Sequence, residues 1–207
     1  ETLSAARLAA MLSQVCYDLY GQKPGDDTTV AVTRVIRRQV VNIFTGPPSR
    51  KEDDERVVHD FMKQEGKKVI CGGTSANVAS RVLKREIVTL VKHADPKIPP
   101  MATMEGLDLV TEGVLTIGSA LDLLHRYEND EFDEAFFDAL DAENGAAKLA
   151  RLLIEECTDL NLFVGRALNP AHQNSNLPFD LSVRMNLVEQ LKDCAERMGK
   201  HVTVKYY

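Results

Sequence analysis

The chain has 207 residues, 44% hydrophobic and 27% charged, with 25 Lys and Arg against 31 Asp and Glu and a formal net charge of −6. That composition belongs to folded chains rather than disordered ones. The acidic balance argues against a nucleic-acid binder, and the short apolar runs offer no membrane span. Cys16, Cys71, Cys157 and Cys194 lie far apart with no C-x-x-C pair, so neither a zinc ribbon nor a disulfide scaffold is indicated and a reduced, cytoplasmic protein is expected.

Leu8, Met11, Leu12, Val15 and Leu19 recur at helical spacing, with Gly21 as the stop. A turn follows at Lys23-Pro24-Gly25-Asp26-Asp27, and the β-branched run from Thr28 to Ile36 predicts a strand. From Val40 the pattern becomes regular. Val40–Phe44 reads as a strand ending in Thr45-Gly46-Pro47-Pro48, and a helix follows with Val57, Val58, Phe61 and Met62 on one face. Lys68–Cys71 is the next strand, ending in Gly72-Gly73-Thr74-Ser75, with a helix over Ala76–Lys84 and a strand over Ile87–Val91. A Pro-containing loop covers His93–Met104, and Leu107–Val110 is a strand ending in Thr111-Glu112-Gly113.

Leu115–Tyr127 is helical, the acidic stretch 128–145 holds a short inserted helix, and Ala146–Cys157 is another helix. Leu160–Val164 is a strand, followed by a long loop over Gly165–Asp180. A last helix carries Val183, Leu187, Val188, Leu191 and Met198, and His201–Tyr206 closes the chain as a strand.

Short apolar strands alternating with amphipathic helices mean parallel βαβ units. The expected fold is α/β: a three-layer, doubly wound, mostly parallel sheet of about six strands. In such sheets ligands bind beyond the carboxyl ends of the strands. That rule selects Thr45, Gly46, Gly72, Gly73, Thr74, Ser75, Asn77, Thr111, Glu112 and Gly113 as candidate ligand-binding residues. The paired glycines allow close backbone approach, and Thr74 or Ser75 is placed to cap the next helix, whose N–H groups favour anions. The same turn also serves simply to pass from strand to helix. The pattern is neither G-x-G-x-x-G nor G-x-x-x-x-G-K-[ST], so no nucleotide is specified. Glu112 and His172 are the candidate catalytic side chains, with helix capping and a solvated loop as their plain alternatives. Asp26 and Asp27 are a candidate for a hard divalent metal or for a purely conformational turn.

Two sets of motifs carry a resemblance. The segment Leu3–Tyr20 followed by Lys23-Pro24-Gly25-Asp26-Asp27-Thr28-Thr29-Val30-Ala31-Val32 resembles the C-terminal end of SpoIIE-like, metal-dependent protein serine/threonine phosphatases. Val69–Asn77 (V-I-C-G-G-T-S-A-N), Asp108–Gly113 (D-L-V-T-E-G) and Asn169–Asn174 (N-P-A-H-Q-N) resemble an extension that follows that domain in some bacterial members. The resemblance implies that Thr28–Ile36 is the last strand of a β-sandwich. It also implies that Asp26 is a ligand of a Mn²⁺ or Mg²⁺ pair, and that the parent protein is a hydrolase acting on a phosphoprotein.

On this reading residues 1–37 are the helix-and-strand end of a phosphatase domain, and residues 38–207 are a Rossmann-like domain that binds a small anionic ligand or partner and regulates the phosphatase. The Glu1 start fits a piece cut from a longer chain, and the earlier metal motifs are missing, so residues 1–207 are expected to lack phosphatase activity. Two alternatives stand beside it. One is an independent α/β enzyme using Glu112 and the Gly72–Asn77 loop; the other is a module that forms a homodimer. No nucleic-acid or membrane partner is expected.

Overall fold

The computed structural model describes residues 3–23, 25–90, 98–167 and 179–207. Within them, α1 (Ala5–Leu19) precedes β1 (Val40–Thr45), α2 (Asp54–Met62), β2 (Lys67–Cys71) and α3 (Gly73–Leu83). Two short strands, β3 (Val88–Thr89) and β4 (Ala102–Thr103), lead to β5 (Leu109–Thr111). Then come α4 (Val114–Glu128), α5 (Glu134–Asp141), α6 (Gly145–Arg151), β6 (Asp159–Val164), α7 (Phe179–Arg197) and β7 (His201–Tyr206). After α6 the backbone widens into a π turn at Leu152–Glu156 before the chain reaches β6.

The fold is α/β, with an open sheet of seven strands in the order β3-β4-β5-β2-β1-β6-β7. β5, β2, β1, β6 and β7 run parallel, while β4 is antiparallel to both of its neighbours. Sequence pattern indicates about six strands; the seventh is β4, inside the expected loop. Two residues, shortly after Pro99 and Pro100, carry no periodicity. Their strand character comes from pairing Thr103 with Val88 and Ala102 with Val110.

Alternation along the strands feeds two apolar clusters. Val41 and Ile43 of β1 join Val69, Cys71, Leu160, Leu162 and Val164, and this set packs with Leu121, Leu124, Phe136, Leu149, Leu153 and Leu191. Phe44, Ile70, Val110 and Phe163 point the other way and pack with Val57, Val58, Phe61, Ala76 and Ala79. Phe61 stands edge-on to Phe163, ring centroids 5.6 Å apart. The central strands are apolar on both sides because both sides are buried. The exception is Asn42, which is fully buried and fully used. Its Nδ2 donates to the carbonyls of Glu65 (2.8 Å) and Lys67 (3.1 Å), and its Oδ1 accepts from Asn161 Nδ2 at 2.9 Å.

The first 39 residues depart from expectation in part. Helix α1 forms, capped by Ser4, whose Oγ accepts the Arg7 N–H at 3.2 Å. The strand expected over Thr28–Ile36 does not: residues 27–39 have no regular structure. A strand needs an edge to pair with, and among the described residues none is offered there. β-branched content alone is therefore not enough, and Val35 is left 93% exposed. α1 buries no residue. It is tethered through Arg7, which pairs with Asp141 at 2.6 Å and lies 4.8 Å over the Phe137 ring. No helix among the described residues is long and apolar enough to cross a membrane.

Candidate functional site

At the carboxyl ends of β1, β2 and β5 a small cleft of about 80 Å³ opens. It is lined by Thr45, Gly46 and Pro47 at the end of β1, Cys71 to Ser75 at the end of β2, Glu112, Gly113 and Val114 after β5, and Arg184 from α7. Eight of the ten candidate ligand-binding residues meet here, because parallel strands put their following turns on one sheet edge. The other two do not line it. Thr111 is buried just beneath, where its carbonyl accepts the Gly72 N–H at 2.9 Å and so ties the β2 and β5 turns together. Asn77 lies further along α3 with its side chain exposed. His172, and the whole Asn169–Asn174 motif, lie outside the described residues.

Two turns need glycine. Gly46 has φ +75°, and a Cβ there would meet the Gly165 carbonyl at 2.5 Å and Arg184 Nε at 2.9 Å. Gly72 has φ +133°, a region side chains rarely adopt. It is the residue before α3, so the helix starts at Gly73 rather than at Ala76, and neither Thr74 nor Ser75 caps it. The first N–H groups of α3 therefore present their partial positive charge to the cleft without a side-chain cap. α4 differs. Its Leu115 N–H donates to Glu112 Oε2 at 3.1 Å, so the Glu112 carboxylate satisfies one of that helix's first N–H groups while also lining the cleft.

Arg184 carries no motif or strand-end position that marks it in the sequence. It is 8% exposed, and its Nη2 donates to the Ala167 carbonyl at 2.7 Å, in the segment after β6. Its signal was its spacing. Arg184, Val188, Leu191 and Ala195 fall on one helical stripe, all buried, so a cation occupies an apolar position of α7. Burying a guanidinium is costly unless its surroundings compensate for the charge.

The cleft also holds two buried hydroxyls. Thr45 is 2% exposed and Ser75 fully buried, and neither Thr45 Oγ1 nor Ser75 Oγ has a hydrogen-bond partner among the described residues. Cys71, beside them, is no nucleophile: burial pushes its thiol up to about 12. The cleft thus offers helix N–H groups, two hydroxyls and a guanidinium as donors, with Glu112 as its carboxylate acceptor.

Asp26 sits in an exposed turn, where its Oδ1 accepts the Asp27 N–H at 2.9 Å. It joins no group of three or more convergent His, Cys, Asp or Glu side chains among the described residues. A two-ion centre needs several carboxylates around the metals, so the residues described do not fit the centre that the resemblance implies for Asp26. The group that does converge is His125, Glu128 and Cys194, with ligand atoms within 4.8 Å of one another. Its chemistry is that of a clamp between α4 and α7. Arg197 Nε and Nη2 hold the two Glu128 oxygens at 2.7 and 3.0 Å and lower that carboxyl to about 2. Burial, with Glu128 beside it, raises the Cys194 thiol to about 12. A carboxylate engaged by arginine and a protonated thiol are poor metal ligands.

Comparison with protein-family models, with curated proteins and with solved structures returns no match for this chain.

Proposed function

We propose that residues 38–207 form a Rossmann-like regulatory domain that binds a small anionic ligand in the cleft beyond β1, β2 and β5. The observation that carries this reading is the convergence of the uncapped α3 N-terminus and buried Arg184 with the Thr45 and Ser75 hydroxyls, both buried and without a partner among the described residues. Helix N-termini attract anions, and a guanidinium adds directed donors. The strand order supports reading the sheet as doubly wound in three layers. On that reading the switch point lies between β1 and β6, where Arg184 reaches the Ala167 carbonyl.

The motifs at Lys23–Val32, Val69–Asn77, Asp108–Gly113 and Asn169–Asn174 support the wider reading. In it the chain is the C-terminal region of a cytoplasmic, bacterial SpoIIE-like protein serine/threonine phosphatase, and residues 1–37 belong to the catalytic domain. The parent would take Mn²⁺ or Mg²⁺ and a phosphoprotein substrate, and the anion would regulate it. The test of the ligand reading is thermal unfolding with inorganic phosphate, phosphorylated metabolites and small carboxylates. A rise in Tm with at least one of them, lost in Arg184→Gln, is expected. No rise with any anion sinks the reading.

A second reading, a homodimer, is favoured by one feature. Met11, Leu12, Val15 and Leu19 leave an apolar face of α1 half to mostly exposed.

A further inference from the structure

The cleft is asymmetric, and the asymmetry specifies its ligand. Its volume of about 80 Å³ is that of a few water molecules and well below the roughly 300–1,000 Å³ of a pocket for a drug-sized molecule. It suits one tetrahedral oxyanion. Donor-bearing groups line it on three sides: the α3 N-terminus, Thr45 with Ser75, and Arg184. The fourth direction is different. Glu112 enters from the start of α4, held there by the Leu115 N–H on Oε2, and no hydrogen bond reaches its Oε1 among the described residues. An ionised carboxylate can only accept. A fully deprotonated oxyanion beside it is repelled, whereas an oxyanion that keeps a hydrogen can donate that hydrogen to Oε1.

We infer that the cleft selects a hydrogen-bearing phosphoryl group, as inorganic phosphate or a singly protonated phosphomonoester, and rejects sulfate, with Glu112 as the selecting residue. This rests on the anion-binding reading above and adds to it the chemical class of the anion. Sulfate and phosphate share shape and acceptor geometry; near neutral pH only phosphate carries a proton. A hydrogen bond to a charged acceptor contributes about 1.5–3 kcal/mol, which corresponds to roughly tenfold or more in affinity.

The test is titration calorimetry and thermal unfolding of the full chain with inorganic phosphate, glycerol phosphate and sulfate. It is run at about pH 6, where a phosphomonoester retains its last proton on about half of its molecules. Phosphate or its ester is expected to bind at least roughly tenfold more tightly than sulfate. The tighter of the two phosphoryl probes identifies the source. Glu112→Gln keeps a side-chain oxygen for the Leu115 N–H and adds an amide donor, so sulfate should gain and the gap should close. Arg184→Gln should weaken both anions together. Equal binding of phosphate and sulfate by the unaltered chain overturns the selection and leaves the anion site standing. Binding of neither overturns both. A preference for phosphate that survives Glu112→Gln removes Glu112 as its cause.

Discussion

Thr45→Val separates stability from binding at the cleft. The hydroxyl it removes is on a residue 2% exposed and has no partner among the described residues. Leaving such a group unsatisfied costs about 1–3 kcal/mol. Water does not reach the hydroxyl itself, and the lower end of that range allows for the packing shift that valine brings. Valine keeps the branched shape and suits the end of a strand. The variant should therefore be more stable than the parent by about 1 kcal/mol, or about 2–4 °C in Tm for a chain of this length. The same variant should respond less to phosphate, since one donor to the anion is gone. Thr116→Val is the matched control. Thr116 is also fully buried, with no partner for Oγ1 among the described residues, but it does not line the cleft. It should raise Tm in the same way and leave the phosphate response untouched. Thermal unfolding of both variants, with and without phosphate, reads all four outcomes. A loss of more than about 1 kcal/mol in Thr45→Val would mean that its hydroxyl is satisfied in the free protein, and an unchanged phosphate response would remove it from the site.

Three further outcomes follow from other parts of the molecule. The Glu128 carboxyl is lowered to about 2, chiefly by its hydrogen bonds to Arg197; its contribution to stability is thus full above the ordinary carboxyl range and is lost as pH falls through about 2. Glu128→Gln should lower Tm at neutral pH and flatten the acid limb of stability against pH, and an unaltered acid limb would refute the clamp. Cys71, Cys157 and Cys194 are buried with thiols pushed up to about 12, while Cys16 is half-buried on α1. A maleimide at neutral pH should modify Cys16 alone in the folded protein and all four thiols in denaturant, as read by mass; rapid native labelling of Cys71 would show that the cleft opens further than described. Finally, residues 1–207 should release no phosphate from a phosphopeptide with Mn²⁺, because Asp26 joins no convergent carboxylate group among the described residues. Mn²⁺-dependent release would overturn that.

Most of the sheet was legible because its signals are local. Val40–Thr45, Lys67–Cys71 and Asp159–Val164 are apolar runs bounded by turn residues, and each forms a strand within a residue or two of expectation. The β-branched run Thr28–Ile36 also favours a strand and forms none, because composition states a preference while a strand requires a partner edge. Ala102–Thr103 is the converse, a strand with no local signal that exists only because β3 and β5 flank it. The site divides in the same way. The turns at Thr45, Gly72 and Glu112 follow from chain order, since parallel strands carry their C-terminal turns to one edge.

Sequence by itself therefore determined the α/β class, the side of the sheet where the cleft opens, and eight of its lining residues. Tertiary structure alone decided three things. It started α3 at Gly73, leaving Ser75 buried instead of capping; it turned Glu112 onto the Leu115 N–H; and it brought Arg184, far along the chain, beside Gly46. The physical reason is range. Turn geometry and hydrophobic period act over a few residues, whereas the placement of a buried charge depends on how distant helices pack across the sheet, which no single segment encodes.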